Sequence, residues 1–226
     1  LACHYGDTPM RASMWAAEPC RKPECQFGDP QGLMGFAALT AMALKNGVQN
    51  RAALDALDIR PGDSVIEIGC GPGVALREAL RRVGKGGFVA GIDQSATAAH
   101  YAAHSVHSHV LKGRAVTMRA NADDLPFRDS FFDRAFAVNT FQFWPDPARA
   151  LREIARVLAP GGRLVITQRA PNPERPTNFA GAGGGLERIA QACALLKAQG
   201  WHLLDERATP DGSRLIAVSI VAERPD

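Results

Sequence analysis

Glu67, Gly69, Cys70, Gly71, Gly73 and, further on, Asp93 are the residues of this chain whose types and spacing suit a chemical task. The three glycines alternate through a short turn. Bare backbone there can approach a ligand closely, because glycine has no Cβ and accepts positive φ. Glu67 stands just before the turn, where a pyrophosphate meets repulsion and a cationic amino group is better accommodated. Asp93 ends the next apolar run, at about the distance from a glycine turn where an α/β nucleotide fold holds ribose hydroxyls; a carboxylate can accept from both. Two blander readings stand beside these: a glycine turn that binds nothing, and Asp93 as a helix N-cap, a place that suits Ser95 better.

Positioning these groups needs a strand, a turn and a helix. Residues 64–68 (SVIEI) form a short β-branched run between Pro61-Gly62-Asp63 and the glycines, which predicts a buried parallel strand. Residues 74–83 (VALREALRRV) carry apolar residues at helical spacing. A helix N-terminus therefore faces whatever the turn binds. The dinucleotide fingerprint G-x-G-x-x-G needs its third glycine where this chain has Val74, so a nicotinamide dehydrogenase is the weaker reading. Residues 88–92 (FVAGI) predict the second strand, which ends in Asp93.

Further motifs follow in order: GIDQS at 91–95, NADDLPF at 121–127, AVNTFQFWPDP at 137–147 and RVLAPGGRLVI at 156–166. Together with VIEIGCGPG at 65–73, they make the chain resemble the class I S-adenosylmethionine-dependent methyltransferases. Within these it is most similar to the ubiquinone/menaquinone-methyltransferase-like, or type 11, group, from about Ile59 to the end of the chain. The resemblance implies an α/β fold: a Rossmann-like seven-stranded, mostly parallel sheet with an antiparallel C-terminal strand, helices on both faces and an N-terminal helical cap. It divides the chain into an arm and cap at 1–58 and a cofactor-binding unit at 59–226.

The implied cofactor is S-adenosylmethionine. The resemblance assigns Glu67 to its amino-acid end, the backbone of Gly69, Cys70, Gly71 and Gly73 to close approach, Asp93 with Gln94 to the ribose, and Asn121 with Ala122 to adenine. Asn121 stands where the family usually has Asp, and its amide oxygen can accept the same hydrogen bond without a charge. Asp123 is a rival for that role. Ligands of open α/β sheets lie outside the carboxyl ends of the strands, so Asn139, Thr140, Phe141 and Gln142 are expected to border the reactive end. Phe141, Phe143 and Trp144 read either as an acceptor wall or as core, and Gln142 is a further acceptor-binding candidate.

The remaining elements are taken in chain order. Residues 1–30 read as an irregular arm, 32–45 as a helix apolar almost all round, and 50–57 as a second helical piece. In the resembled family such helices lie over the cofactor and help to form the acceptor pocket. Tyr5 and Trp15, with His4, Phe27 and Met34, are therefore pocket candidates, each equally readable as core packing. Residues 96–111 predict one helix on which His100, His104 and His107 share a face; an exposed surface is the favoured reading over a metal site, and no metal is expected. Strands are predicted at 116–120, 134–139 and 163–167, and a helix at 148–158 capped by Asp146 with Pro147. A loop at 168–185 suits an acceptor lid, a helix follows at 186–199, and strands at 201–207 and 214–223 close the chain.

Composition sets the remaining bounds. The 226 residues, 46% hydrophobic, suffice for one sizeable core, and a net charge of +3 from scattered basic residues gives no nucleic-acid footprint. No apolar run has the length of a membrane span, and the first residues lack the order of a signal peptide, so a cytoplasmic location is expected. The five cysteines are odd in number and irregular in spacing, unlike a disulfide framework, and Cys20 with Cys25 lacks the repeated tight pair of a zinc site. The expected activity is methyl transfer to a small-molecule acceptor by direct in-line displacement. Alternatives are a cyclisation or rearrangement at the same cofactor site, or cofactor binding without catalysis. His4, Tyr5, His202 and Gln142 are candidate acid or base groups.

Overall fold

A strand followed by a crossover helix returns in the same direction, so alternating short apolar strands and helices build a parallel sheet. The structure, a computed structural model, describes residues 46–170, 185–211 and 214–225. Helix α1 (Gly47–Leu57) precedes strand β1 (Ser64–Ile68), helix α2 (Val74–Val83), β2 (Phe88–Asp93), α3 (Ala96–Ser105), the one-turn α4 (His107–Val110) and β3 (Ala115–Arg119). Then come β4 (Phe132–Val138), α5 (Pro147–Val157), β5 (Leu158–Arg169), α6 (Gly185–Ala198), β6 (His202–Asp211) and β7 (Arg214–Glu223). The seven strands of the described residues lie in the order β3-β2-β1-β4-β5-β7-β6. β7 alone runs antiparallel, inserted between β5 and β6. This is the Rossmann-like, mostly parallel sheet expected from the sequence.

Alternation along β1 divides the core between the two faces. Ile66 and Ile68 pack with Leu151 and Ile154 of α5 and with Ile189 and Leu196 of α6. Val65 faces the other way, in a cluster with Leu54 and Leu57 of α1 and Leu76 and Leu80 of α2. Local signals set the helix ends: Ser95 Oγ accepts from Ala98 N (3.3 Å), and Asp146 Oδ1 accepts from Arg149 N (3.0 Å) with Pro147 in the first turn.

Three expectations need correction. The single helix over 96–111 breaks at Val106, which leaves helical geometry (φ −120°) and buries its side chain, so His107 belongs to a separate turn. The helix ahead of Gly161-Gly162 ends at Val157; Leu158 already pairs with Phe132, and after a register shift Arg163 pairs with Arg134. Strand β5 then continues through Gln168 to Arg169, residues expected in the loop, because β7 pairs with it along that length. The expected arm and the helix over 32–45 lie outside the described residues, as does most of the expected lid. No helix of the described residues is long and apolar enough to cross a membrane.

Candidate functional site

β1, β2 and β4 end at one edge of the sheet, and the glycine turn sits there. The amides of Gly69 and Cys70 both donate to Ile92 O (2.8 and 2.9 Å), which ties the turn to β2. At Gly69 (φ +80°) a Cβ would collide with the Thr140 side chain, 2.8 Å from its Cβ. Thr140 cannot simply swing away, because its hydroxyl donates to Ile68 O (3.0 Å). At Gly73 (φ +75°), which caps α2, a Cβ would lie 2.9 Å from Ala102 Cα and collide with Ser105 Oγ. These two positions need glycine for conformation and for space alike.

Asp93 is buried and engaged on both carboxylate oxygens. Gly71 N donates to Oδ2 (2.9 Å) and Ser95 N to Oδ1 (2.9 Å). The cap of α3 is Ser95, as the sequence suggests, which leaves Asp93 to shape the turn and the cleft beside it.

Two clefts meet at Gly69. The larger, of about 460 Å³, is walled by Asp93 and Gln94 on one side, Ala120 and Ala122 on another, and Asn139, Thr140, Phe143 and Trp144 on a third. The smaller, of about 320 Å³, lies between Asn46 and Asn50 of the α1 segment and the Glu67 to Ala75 stretch, with Cys70 and Gly71 on its wall. Glu67 is 3% exposed and its Oε2 has no hydrogen-bond partner. Burial, and then the negative charge of Asp93, push its carboxyl well above the usual range; burial does the same to the Cys70 thiol. A buried, unpartnered acid on a cleft wall is a group awaiting a donor or a cation.

The other sequence-chosen residues divide. Asn139, in left-handed geometry (φ +56°), accepts from Arg169 N at Oδ1 (2.7 Å) and donates through Nδ2 to Asn46 Oδ1 (3.4 Å). Asn46 also accepts from Arg169 Nη2 (2.9 Å), so α1 is tied to the ends of β4 and β5. Phe141 is core: it is 2% exposed and packs on Trp144 (ring centroids 5.1 Å apart), so the cleft wall comes from Phe143 and Trp144. Gln142 folds back, donating to Asn139 O (2.6 Å). Ala122 lines the larger cleft, while Asn121 and Asp123 do not; Asn121 turns the chain through a bridge to Asp124, and Asp123 O accepts from Arg149 Nε (3.1 Å). Tyr5, Trp15, His4, Phe27 and Met34 lie outside the described residues.

His202 is removed as an acid or base, since it pairs with Glu223 and, through it, lies level with Arg163 at the opposite edge of the sheet. The rings of His100 and His104 stand 4.5 Å apart, and among the described residues no group of three or more ligating side chains could hold a metal.

Asn46, Asn50 and Arg156 are the residues that sequence reasoning missed. Arg156 clamps the loop after β3, donating to Leu125 O (2.9 Å), Phe127 O (2.8 Å), Asp129 (2.7 Å) and Glu153. Its spacing of three from Glu153 on a predicted helix was a visible signal.

Residues 66–166 match the model of a family described as methyltransferase domain. The uncharacterized methyltransferase YdaC of Bacillus subtilis (strain 168) is 31% identical over 168 residues, 73% of this chain and 85% of that protein. The chain belongs to the class I S-adenosylmethionine-dependent methyltransferases. The ubiquinone/menaquinone biosynthesis C-methyltransferase UbiE of Hahella chejuensis is 33% identical to this methyltransferase over 57% of the chain and 50% of that protein. Several further curated relatives are matched over about half of their own length or less. The methyltransferase fold is shared with a solved S-adenosylmethionine-dependent methyltransferase from Aquifex aeolicus, at a TM-score of 0.69 and 19% identity, covering 83% of this chain and 97% of that one.

Proposed function

We propose that this methyltransferase passes a methyl group from S-adenosylmethionine to a small-molecule acceptor by direct in-line displacement, with the cofactor laid across the two clefts that meet at Gly69. The observation that carries this reading is the buried Glu67 oxygen without a partner on one side of Gly69, with Asp93 on the cleft wall of the other. The cofactor is a cationic amino acid joined to a nucleoside, and its charges and hydroxyls match these two positions in order.

The bound cofactor supplies a methyl group already activated by its sulfonium charge. Glu67 receives the ammonium group, and the bare backbone at Gly69, Cys70, Gly71 and Gly73 lets the ligand lie against the turn. Asp93 and Gln94 take the ribose hydroxyls, and the chain at Ala122 meets the adenine, with Asn121 shaping the turn that brings Ala122 there. Asn139 and Thr140 border the reacting end, and the Phe143 and Trp144 rings keep water from it and offer their faces to a sulfonium. With the methyl group already activated, the main task of the protein is alignment. The segment ahead of α1, with Tyr5 and Trp15, is assigned to a cap over the acceptor, while α1 itself packs into the core of the unit that the sequence places at 59–226.

The test is an acceptor screen with quinols, phenols, carboxylic acids and amines, following S-adenosylhomocysteine release and the mass of the acceptor. One methyl added per S-adenosylhomocysteine released is expected. A product formed without S-adenosylhomocysteine would replace this reading with a cyclisation or rearrangement.

A further inference from the structure

Two side-chain amides at the carboxyl ends of β4 and β5 have no use in the cofactor clefts. Gln142 donates through Nε2 to Asn139 O (2.6 Å), a bond that identifies which amide atom is the nitrogen. Its Oε1 is left buried without a partner. Gln168 is 2% exposed, and its Nε2 is likewise buried without a partner. One amide lacks a donor and the other an acceptor.

The backbone brings the two residues together. Asn139, whose carbonyl anchors Gln142, donates from its own amide to Thr167 O (2.9 Å) and accepts at Oδ1 from Arg169 N (2.7 Å). It therefore grips the chain on both sides of Gln168. Thr167 points to the α1 face, where its hydroxyl shares a hydrogen bond with Ser219 (2.8 Å). Strand alternation puts Gln168 on the opposite face, that of Ile166, where Phe141 and Trp144 also pack.

Buried polar groups in folded proteins are almost always paired, and an exception asks for an explanation. The cofactor reading gives these two none. We propose that Gln142 and Gln168 form an acceptor-orienting pair that receives a hydroxyl group carried on an otherwise apolar, preferably aromatic, molecule. A hydroxyl donates to Gln142 Oε1 and accepts from Gln168 Nε2 at once. A carboxylate has no proton for Gln142, and an ammonium has no lone pair for Gln168. The Phe143 and Trp144 rings nearby suit a flat apolar body. The pair positions the acceptor and takes no part in the displacement, and the inference rests on the methyl-transfer reading above.

The test compares the wild-type protein with Gln142→Leu and Gln168→Leu, each with and without S-adenosylhomocysteine. The probes are matched pairs: phenol and toluene, 2-naphthol and 2-methylnaphthalene, cyclohexanol and methylcyclohexane, with binding read by saturation-transfer NMR. Wild-type protein is expected to prefer the hydroxylated member of at least one pair by about tenfold, and each leucine variant to lose most of that preference. Both variants are further expected to keep their affinity for S-adenosylhomocysteine. Gln168→Leu is expected to melt at the same temperature as wild type or higher, because an unmatched buried nitrogen has been replaced by an apolar group, whereas Gln142→Leu also gives up the bond to Asn139 O and is expected to melt slightly lower. Absence of discrimination in all three pairs overturns the proposal. So does discrimination that survives both substitutions, or a lower Tm in Gln168→Leu, which would make that amide a support of the fold. Failure of wild-type protein to bind S-adenosylhomocysteine would count against the cofactor reading instead, and the probe pairs without that ligand still judge the amides.

Discussion

The Gly71 amide donates to the Asp93 carboxylate at 2.9 Å, so the turn after β1 and the end of β2 are one unit. The other carboxylate oxygen accepts from Ser95 N, which adds the start of α3 to that unit. Asp93→Ala should therefore lose stability as well as cofactor affinity. Removing two buried acceptor bonds is expected to cost about 1–3 kcal/mol in urea unfolding, and Asp93→Asn, which keeps an oxygen, should cost less. Equal stability of the alanine variant and wild type would contradict the shared unit.

Gly69 is constrained twice, by φ of +80° and by the Thr140 side chain. Gly69→Ala is expected to lose about 1–3 kcal/mol. Thr140→Ser removes the methyl group in the way while keeping the hydroxyl that bonds Ile68 O, so the double variant should recover part of the loss. Full recovery would show that backbone conformation contributes nothing.

Glu67 gives the site a pH dependence. Its native carboxyl is raised above the ordinary value of 4.5 by burial and by the Asp93 charge. A raised native value means that the stabilising contribution is present below 4.5 and is lost as pH rises through the native value, because the unfolded chain then ionises more readily. Glu67→Gln should accordingly match wild type in acid and become the more stable protein as pH rises through that window. Binding of the cofactor's ammonium needs the ionised acid, so affinity should rise with pH over the same window and a proton should be released. Titrations in buffers of different ionisation enthalpy measure that proton, and its absence would count against Glu67 as the ammonium partner.

Arg156 holds the loop that carries Ala122 to the cleft. Arg156→Ala strands the Leu125 and Phe127 carbonyls and is expected to cost about 2–3 kcal/mol, with weaker cofactor affinity. Arg156→Lys should recover little, because an ammonium does not fork to several oxygens. The hydrogen bond from Arg156 is the largest influence lowering the Glu153 carboxyl, so this pair supports the fold above the ordinary value of 4.5 and fades as pH falls. The wild-type advantage over the alanine variant should shrink in acid unfolding.

How much was legible depended on whether the cause was local. Strand β1, helix α2 and strand β7 have the bounds that their periodicity and flanking glycines predict, and the sheet follows from their alternation. The break at Val106 was not legible, because an alanine-rich run hides which residue turns inward to the core. Gln168 read as loop because it precedes a stretch rich in Pro, Asn and Gly; only its pairing with Val218, fifty residues on, makes it a buried strand residue. The glycine turn and Asp93 were visible as a cofactor pattern. The pairing of Gly71 with Asp93, and the tie from Asn46 to Asn139 and Arg169, needed the fold. Phe141 and Trp144 were indistinguishable as wall or core; both pack in one core cluster, and only Trp144 also reaches the cleft wall.

The most direct measurement is calorimetric titration of the purified protein with S-adenosylmethionine and S-adenosylhomocysteine, repeated on Asp93→Asn and Glu67→Gln. Saturable one-to-one binding is expected for wild type, weakened by about tenfold or more in each variant while both stay folded. Folded wild-type protein that binds neither ligand, or variants that bind both as tightly as wild type, would contradict the cofactor site described here.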